Sequence, residues 1–209
     1  MGIIDMKLLR NLFRRKEKIR LQDFAYLMIY SATSWQRDDN FKEIIQDVLQ
    51  NNPDKANRIY IELTAFQYWL QCFIIKAALK EREDDWKIAV VGFREVWIKF
   101  CLIGDEIQAG NDLIRRKFPN MQISPKEYAY ILSNRTKDYD KAFSQKRGQR
   151  EGKSWPLEQV ATDLCQNLSM GKDSMIIATL FTMIGFTIKY QVQALKETKE
   201  KYNLSLWEK

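Results

Sequence analysis

Apolar side chains recur at helical spacing through most of this chain, and strand-type alternation is almost absent. Between residues 41 and 49 they fall at positions i, i+3, i+4, i+7 and i+8, which places them on one face of a helix. Asn40, with Glu43 three residues later, is a candidate capping pair for this helix. The Asn-Asn-Pro-Asp run at 51–54 predicts the end of this helix and the start of the next, because proline suits a first helical turn.

Two long helices are predicted over residues 54–118. The first, to about residue 83, is apolar on most sides, which is typical of a central helix. A polar break follows it, in which Asp84 or Asp85 is a candidate N-terminal cap. The second helix either bends near Gly104 or continues to Phe118. Its apolar stripe consists of Trp86, Val90, Phe93, Trp97, Phe100 and Cys101.

The clearest local motif in the chain is Ser124-Pro125-Lys126-Glu127. A serine cap, a proline in the first turn and a glutamate at the capping-box position together predict a helix start. Residues 144–153 contain no apolar side chain and predict a solvated loop. A short helix from about 156 to 168, ended by Gly171, and a last helix from about 173 to 202 complete the pattern. The helix after Pro125 carries Tyr128, Ile131, Leu132, Tyr139 and Phe143.

The longest apolar run lies between residues 175 and 188, at the start of the last helix. It is shorter than the roughly 18 residues that a membrane-spanning helix needs. Lys172 and Asp173 precede it, and Lys189 follows it. We therefore expect a buried core helix here and no transmembrane segment.

These elements predict an all-α protein, a single-domain helical bundle of about seven or eight helices that covers residues 1–209. No internal repeat and no linker rich in proline or serine divides the chain. The two helices between 54 and 118 and the last helix are expected to form the core. No motif resembles the signature of a known family.

The composition narrows the chemistry because the chain contains no histidine. That excludes histidine acid–base catalysis, Ser-His and Cys-His nucleophile pairs and histidine-ligated metals. The three cysteines, Cys72, Cys101 and Cys165, are isolated and flanked by apolar residues, which predicts buried free thiols. Free thiols without a disulfide framework favour a cytoplasmic location.

The net charge of +7 is concentrated in three short segments. Residues 7–20 carry seven basic side chains against one acidic, residues 141–153 carry five against one, and residues 115–117 are all basic. Because local basicity attracts polyanions, these segments supply the candidate binding residues. The candidates are Lys7, Arg10, Arg14, Arg15, Lys18, Arg115, Arg116, Lys117, Lys146, Arg147 and Arg150.

Residues 1–20 predict a basic amphipathic N-terminal helix. Its apolar side chains are Leu8, Leu9, Leu12 and Phe13. Such a helix packs on its own bundle, docks in the groove of a partner protein or lies on an anionic membrane surface, and all three uses stay open. The polar basic loop 144–153 is either a solvated loop or a phosphate site, with Phe143 and Trp155 available to stack a base.

The sequence lacks the catalytic and phosphate-binding motifs that we searched for. The acidic pair at 38–39 and the pair at 84–85 do not continue into DDxxD, and GxxxxGK[ST], GxGxxG and GxSxG are absent. We predict no catalytic residue, no metal ligand and no cofactor, although an enzyme is not excluded. The carboxylates left for a magnesium site are Glu62, Glu95, Asp105 and Glu106.

Two of these carboxylates have basic neighbours one helical turn away. Arg58 precedes Glu62 by four residues, and Lys99 follows Glu95 by four. Both spacings favour a local ion pair over a metal site.

The sequence as a whole favours a non-catalytic binding protein that acts through protein–protein contacts or self-association. A protein partner or a homo-oligomer is expected first, and a membrane surface is a weaker expectation. The first alternative is a nucleic-acid-binding protein that uses segments 7–20, 115–117 and 141–153. The second is a metal-dependent all-α enzyme with a carboxylate site.

Overall fold

The computed structural model describes residues 19–33, 38–80, 83–103, 107–109, 112–114, 121–144, 156–171, 173–202 and 206–207. Within these ranges the chain forms seven α-helices, so the predicted all-α single-domain fold is confirmed. The helices are α1 (Leu21–Ala32), α2 (Asp39–Asn51), α3 (Ala56–Leu79), α4 (Glu83–Ile103), α5 (Pro125–Ser144), α6 (Pro156–Asn167) and α7 (Ser174–Tyr202).

Four very short strands accompany the helices in the described part of the chain. β1 (Ile19–Arg20) pairs in parallel with β4 (Leu206–Trp207), which joins the segment before α1 to the segment after α7. β2 (Ile107–Ala109) and β3 (Asp112–Ile114) form an antiparallel pair. Because α4 ends at Ile103, the expectation that this helix continues to Phe118 is wrong.

The central helix is α3, as the sequence predicted. It packs against α1, α4, α5, α6 and α7, and sixteen of its 24 residues are buried. A helix that meets neighbours on all sides needs apolar groups on all sides, which explains why its sequence has no polar face. The 3₁₀ turn Pro53–Lys55 leads into it, so the predicted role of Pro53 at a helix start is also confirmed.

Aromatic side chains fill the contact between α3 and α5. The rings of Phe66, Trp69 and Tyr139 meet with centroids between 5.3 and 5.7 Å apart. The indole nitrogen of Trp69 donates to Asp140 at 2.8 Å, and the Tyr139 hydroxyl accepts from Asn167 at 3.1 Å. Burial raises the pKa of Tyr139, because a phenolate could not be hydrated there.

A hydrogen-bonded chain ties α4, α5 and α3 together. The Trp97 indole donates to the Tyr128 hydroxyl at 3.2 Å, and that hydroxyl donates to Thr64 at 2.7 Å. The Thr64 hydroxyl in turn donates to the backbone carbonyl of Tyr60 at 2.9 Å. The buried hydroxyl groups of Tyr128 and Thr64 therefore both have partners, which removes the penalty of burying them.

The contact between α1 and α4 depends on a glycine. A Cβ atom placed on Gly92 would stand 2.4 Å from Cδ2 of Leu21. That distance is far below van der Waals contact, so only the absence of a side chain lets the two helices approach this closely.

Helix capping follows the predictions in part. At α5 the capping box is confirmed, since the Ser124 amide donates to Glu127 at 3.1 Å and the Glu127 amide donates to the Ser124 hydroxyl at 3.3 Å. Hydrogen bonds from Ser124 also lower the pKa of Glu127. At α2 the prediction was wrong, because the cap is Asp38, whose carboxylate accepts from the Phe41 amide at 3.1 Å, and not Asn40.

Two further boundaries differ from the predictions. Because α4 begins at Glu83, Asp84 and Asp85 lie in its first turn and do not cap it. At the end of α6 the left-handed residue is Ser169, with φ of 63°, and the Met170 amide bonds back to the Cys165 carbonyl at 2.9 Å. This is a Schellman ending with serine in the position that usually holds glycine. Gly171, with φ of 72°, lies in the turn towards α7.

Candidate binding surface

The apolar start of α7 has one side that packs on the bundle and one side that is exposed. Over Ser174–Thr198 the helix is long and apolar enough, by length and composition alone, to cross a membrane, with a mean hydropathy of 1.4 over 18 residues. Only 17% of that stretch is buried. The expectation of a buried core helix at 175–188 is therefore wrong for one side of the helix, where Met175, Ala178, Thr182 and Phe186 are exposed, while the other side packs on the bundle.

The exposed side chains of this helix form one continuous strip. Met175, Phe186 and Tyr190 are 76%, 41% and 47% exposed, and the residues between them on the same side are small or hydroxylated. Helical spacing of three or four residues brings them into line over about 22 Å. We define the α7 apolar face as Met175, Ala178, Thr179, Thr182, Phe186 and Tyr190.

Aromatic rings and a lysine mark the C-terminal limit of the α7 apolar face. The rings of Phe186 and Tyr190 stack with centroids 6.0 Å apart and planes 18° apart. The Lys189 ammonium lies 6.0 Å from the centroid of the Tyr190 ring, within range of a cation–π contact. At the other limit Asp173 caps the helix by accepting from the Met175 amide at 2.8 Å.

The two threonine hydroxyl groups on the α7 apolar face need no outside partner. Thr179 donates to the carbonyl of Met175 at 2.9 Å, and Thr182 donates to the carbonyl of Ala178 at 2.8 Å. Both hydrogen bonds lie within the same helix, one turn back. An apolar surface can therefore cover these side chains without leaving either hydroxyl group unsatisfied.

The opposite side of α7 attaches the helix to the bundle, mainly to α3 and α6. Its buried residues include Leu180, Ile184 and Leu195. The Gln71 amide on α3 donates to the buried amide oxygen of Gln191 at 3.2 Å, which fixes the rotation of α7 about its axis. That rotation decides which side of the helix faces outwards.

All of the basic residues that the sequence offered as binding residues lie outside the described residues. This holds for Lys7, Arg10, Arg14, Arg15 and Lys18, for Arg115, Arg116 and Lys117, and for Lys146, Arg147 and Arg150. The basic amphipathic helix over 1–20, apart from Ile19 and Arg20, and the loop 144–153, apart from Ser144, lie there too. These interpretations stay predictions from the sequence.

Of the candidate metal ligands, Glu62 has a different partner from the one predicted. Its carboxylate is buried and binds the guanidinium of Arg135 on α5 through two hydrogen bonds, one of them 2.6 Å from Nε. Arg135 also donates to Asp138 at 3.2 Å. The hydrogen bonds with Glu62 raise the pKa of Arg135, and the expected local pair with Arg58 is wrong.

Of the remaining candidate carboxylates, only Glu95 lies in the described part of the chain. Glu95 is exposed on α4, and Asp105 and Glu106 lie outside the described residues. Among the residues that are described, no group of three or more cysteine, aspartate or glutamate side chains could hold a metal ion. The three cysteines are buried free thiols, as predicted.

Comparison with known proteins finds no relative of this chain. No protein-family model matches this chain, and no curated protein or solved structure matches it significantly.

The α7 apolar face could have been noticed in the sequence through one signal. Apolar residues surround the helix from 175 to 188, yet its most exposed side mixes them with threonine and alanine, while leucine and isoleucine dominate the buried side. Periodicity alone does not rank the two sides, because both are apolar. Arg135 carried no local signal, since it is 73 residues from Glu62.

Proposed function

We propose that this protein is a non-catalytic binding protein and that the α7 apolar face is its contact surface. The observation that carries the proposal is the exposure of Met175, Phe186 and Tyr190 on one side of α7, at 76%, 41% and 47%. Continuous apolar surface of this kind mostly marks a place where another surface binds. The absence of histidine and of the nucleophile and phosphate-binding motifs in the sequence supports binding over catalysis.

Self-association is the form of binding that the purified chain can test by itself. Sedimentation equilibrium over a range of concentrations would compare the wild type with Phe186→Ser. We expect the serine variant to associate at least about tenfold more weakly, because removing an aromatic side chain from an interface costs roughly 2 kcal/mol.

A matched control is available on α5. Tyr130 is 69% exposed and lies outside the α7 apolar face, so Tyr130→Ser removes an exposed aromatic ring of similar size. We expect Tyr130→Ser to associate like the wild type. The proposal fails if Phe186→Ser leaves self-association unchanged.

Nucleic-acid binding stays a separate prediction from the basic segments 7–20, 115–117 and 141–153. It predicts binding that weakens steeply with salt and does not depend on Phe186. Measuring duplex DNA and RNA binding with the same two variants separates it from binding through the α7 apolar face.

A further inference from the structure

We propose that the contact between α3 and α7 contains a buried binding site for one ordered water molecule, formed by the side-chain amides of Gln67 and Gln71. The inference is independent of the proposed function, because it concerns the buried side of α7 and not the α7 apolar face. Two observations carry it: the burial of two glutamine amides that lack hydrogen-bond partners, and their position next to the amide of Gln191.

The first observation is the burial of polar atoms without partners. Gln67 and Gln71 are each only 1% exposed. Among the described residues, neither amide atom of Gln67 has a hydrogen-bond partner, and the amide oxygen of Gln71 has none. A buried donor or acceptor without a partner loses the hydrogen bonds that it makes with water in the unfolded chain. Because native proteins satisfy most such groups with protein atoms or ordered water, these two amides point to a bound polar molecule.

The second observation is the position of the two glutamines on α3. Residues four positions apart are neighbours on a helix surface, with Cβ atoms about 5–6 Å apart, so the two amides can reach a common molecule. The Gln71 nitrogen donates to the Gln191 oxygen at 3.2 Å, which shows that this side of α3 faces α7. Gln191 is itself only 4% exposed. A molecule bound by Gln67 and Gln71 therefore lies in the contact between the two helices.

The chemistry of the three atoms without partners identifies the molecule as water. They are one donor, the amide nitrogen of Gln67, and two acceptors, the amide oxygens of Gln67 and Gln71. A cation is repelled by the donor, and an anion is repelled by the two oxygens. Water donates two hydrogen bonds and also accepts, and a buried water makes about three hydrogen bonds, which matches this set.

A water in this position also supports the placement of α7. The Gln71 amide is oriented with its nitrogen towards Gln191, and this orientation directs its oxygen to a place where no protein group satisfies it. A water that donates to this oxygen stabilises that orientation. It thereby stabilises the hydrogen bond that fixes the rotation of α7.

A direct hydrogen bond from the Gln67 nitrogen to the Gln71 oxygen is the competing arrangement. It needs only a change of side-chain rotamer, and it leaves the Gln67 oxygen as the one atom of the three without a partner. A crystal structure of the full-length protein distinguishes the two arrangements. We expect a water oxygen within hydrogen-bond distance of both amides, and a direct bond between the amides without water would overturn the inference.

A measurement in solution tests the same site without a crystal. Magnetic relaxation dispersion of the solvent water counts the molecules that stay inside a protein far longer than surface water does. Gln67→Met keeps the length and the helix propensity of the side chain but removes both amide atoms. We expect this variant to hold one long-lived water fewer than the wild type. Gln46→Met, the same change at an exposed position of α2, should hold as many as the wild type.

The sign of the change in Tm gives a second criterion. If the Gln67 amide is bonded to water, Gln67→Met removes those bonds and leaves the Gln71 oxygen with fewer partners, so we expect the Tm to fall by about 2–4 °C. If the amide has no partner, the methionine removes a buried polar group without loss, and the Tm should rise by a similar amount. Gln46→Met should leave the Tm unchanged.

An equal number of long-lived waters in the wild type and Gln67→Met, or an unchanged or higher Tm for that variant, would overturn the inference. A cooperative unfolding transition verifies that Gln67→Met is folded, and the crystal structure of the wild type tests the site even if it is not. None of these outcomes affects the α7 apolar face, whose test depends on Phe186→Ser.

Discussion

Helices α3 and α7 resemble each other in sequence and differ in surroundings. Both are long and largely apolar, with 24 and 29 residues. Sixteen of the 24 residues of α3 are buried, whereas only 17% of the residues in the most apolar stretch of α7 are buried. The difference teaches that apolar composition does not by itself place a helix in the core, because burial depends on how many neighbours surround it.

The polar side chains of α3 and α7 also differ in where their hydrogen-bond partners lie. On α3, Glu62 binds Arg135 of α5, and Gln71 binds Gln191 of α7. On the exposed side of α7, Thr179 and Thr182 bond to their own helix. Glu62 and Gln71 of α3 thus bond to particular neighbouring helices, while Thr179 and Thr182 of the α7 apolar face need no partner from whatever covers them.

The largest expected difference in stability is between two variants that replace phenylalanine with alanine, one in α3 and one in α7. Phe66→Ala should lower the free energy of unfolding by about 3–5 kcal/mol, because Phe66 is fully buried in α3 and its loss leaves a cavity. Phe186→Ala should cost less than about 1 kcal/mol, since that side chain is 41% exposed. Urea unfolding measures both values, and equal costs would contradict the assignment of α7 to the surface.

The next effect concerns the partner of Glu62. Arg135→Met should destabilise the protein by about 3 kcal/mol, because it leaves a buried carboxylate without its cation. Arg58→Met should change stability by less than about 0.5 kcal/mol, because Arg58 is exposed and makes no contact that Glu62 depends on. If Arg58→Met destabilised the protein as much as Arg135→Met, the result would support an ion pair between Arg58 and Glu62 instead.

The smallest effect concerns pH and the apolar surroundings of α3. Burial raises the pKa of Cys72 to about 12, whereas its ordinary value is 9.0. Above pH 9 the thiol of the unfolded chain ionises while that of the folded protein stays neutral, so stability is complete below pH 9 and is lost as pH rises towards 12.

Replacing that thiol isolates its contribution. Between pH 9 and 10 the wild type should lose about 1 kcal/mol more than Cys72→Val, which has no group to ionise there. The measurement is urea unfolding at a series of pH values. Identical pH dependence of the two proteins would show that Cys72 is hydrated in the folded state.

The sequence indicated most of the helices and much of the core. The buried aromatic residues Trp97, Tyr128 and Tyr139 stand at the helical spacing that predicted them. The capping box at Ser124 was also predicted, because its two hydrogen bonds join residues three positions apart. The N-terminal cap of α2 was misplaced by two residues, since several adjacent polar residues there were equally suitable.

What the sequence by itself determined is local: helix positions, the apolar sides of α4 and α5, and the isolation of three buried thiols. These follow from relations between residues within one helix or turn. Only the tertiary structure decided which helices surround α3, that α7 presents an apolar face, and that Glu62 pairs with Arg135, 73 residues away. Those outcomes depend on which helices pack together, and helical periodicity carries no information about a neighbour distant in the chain.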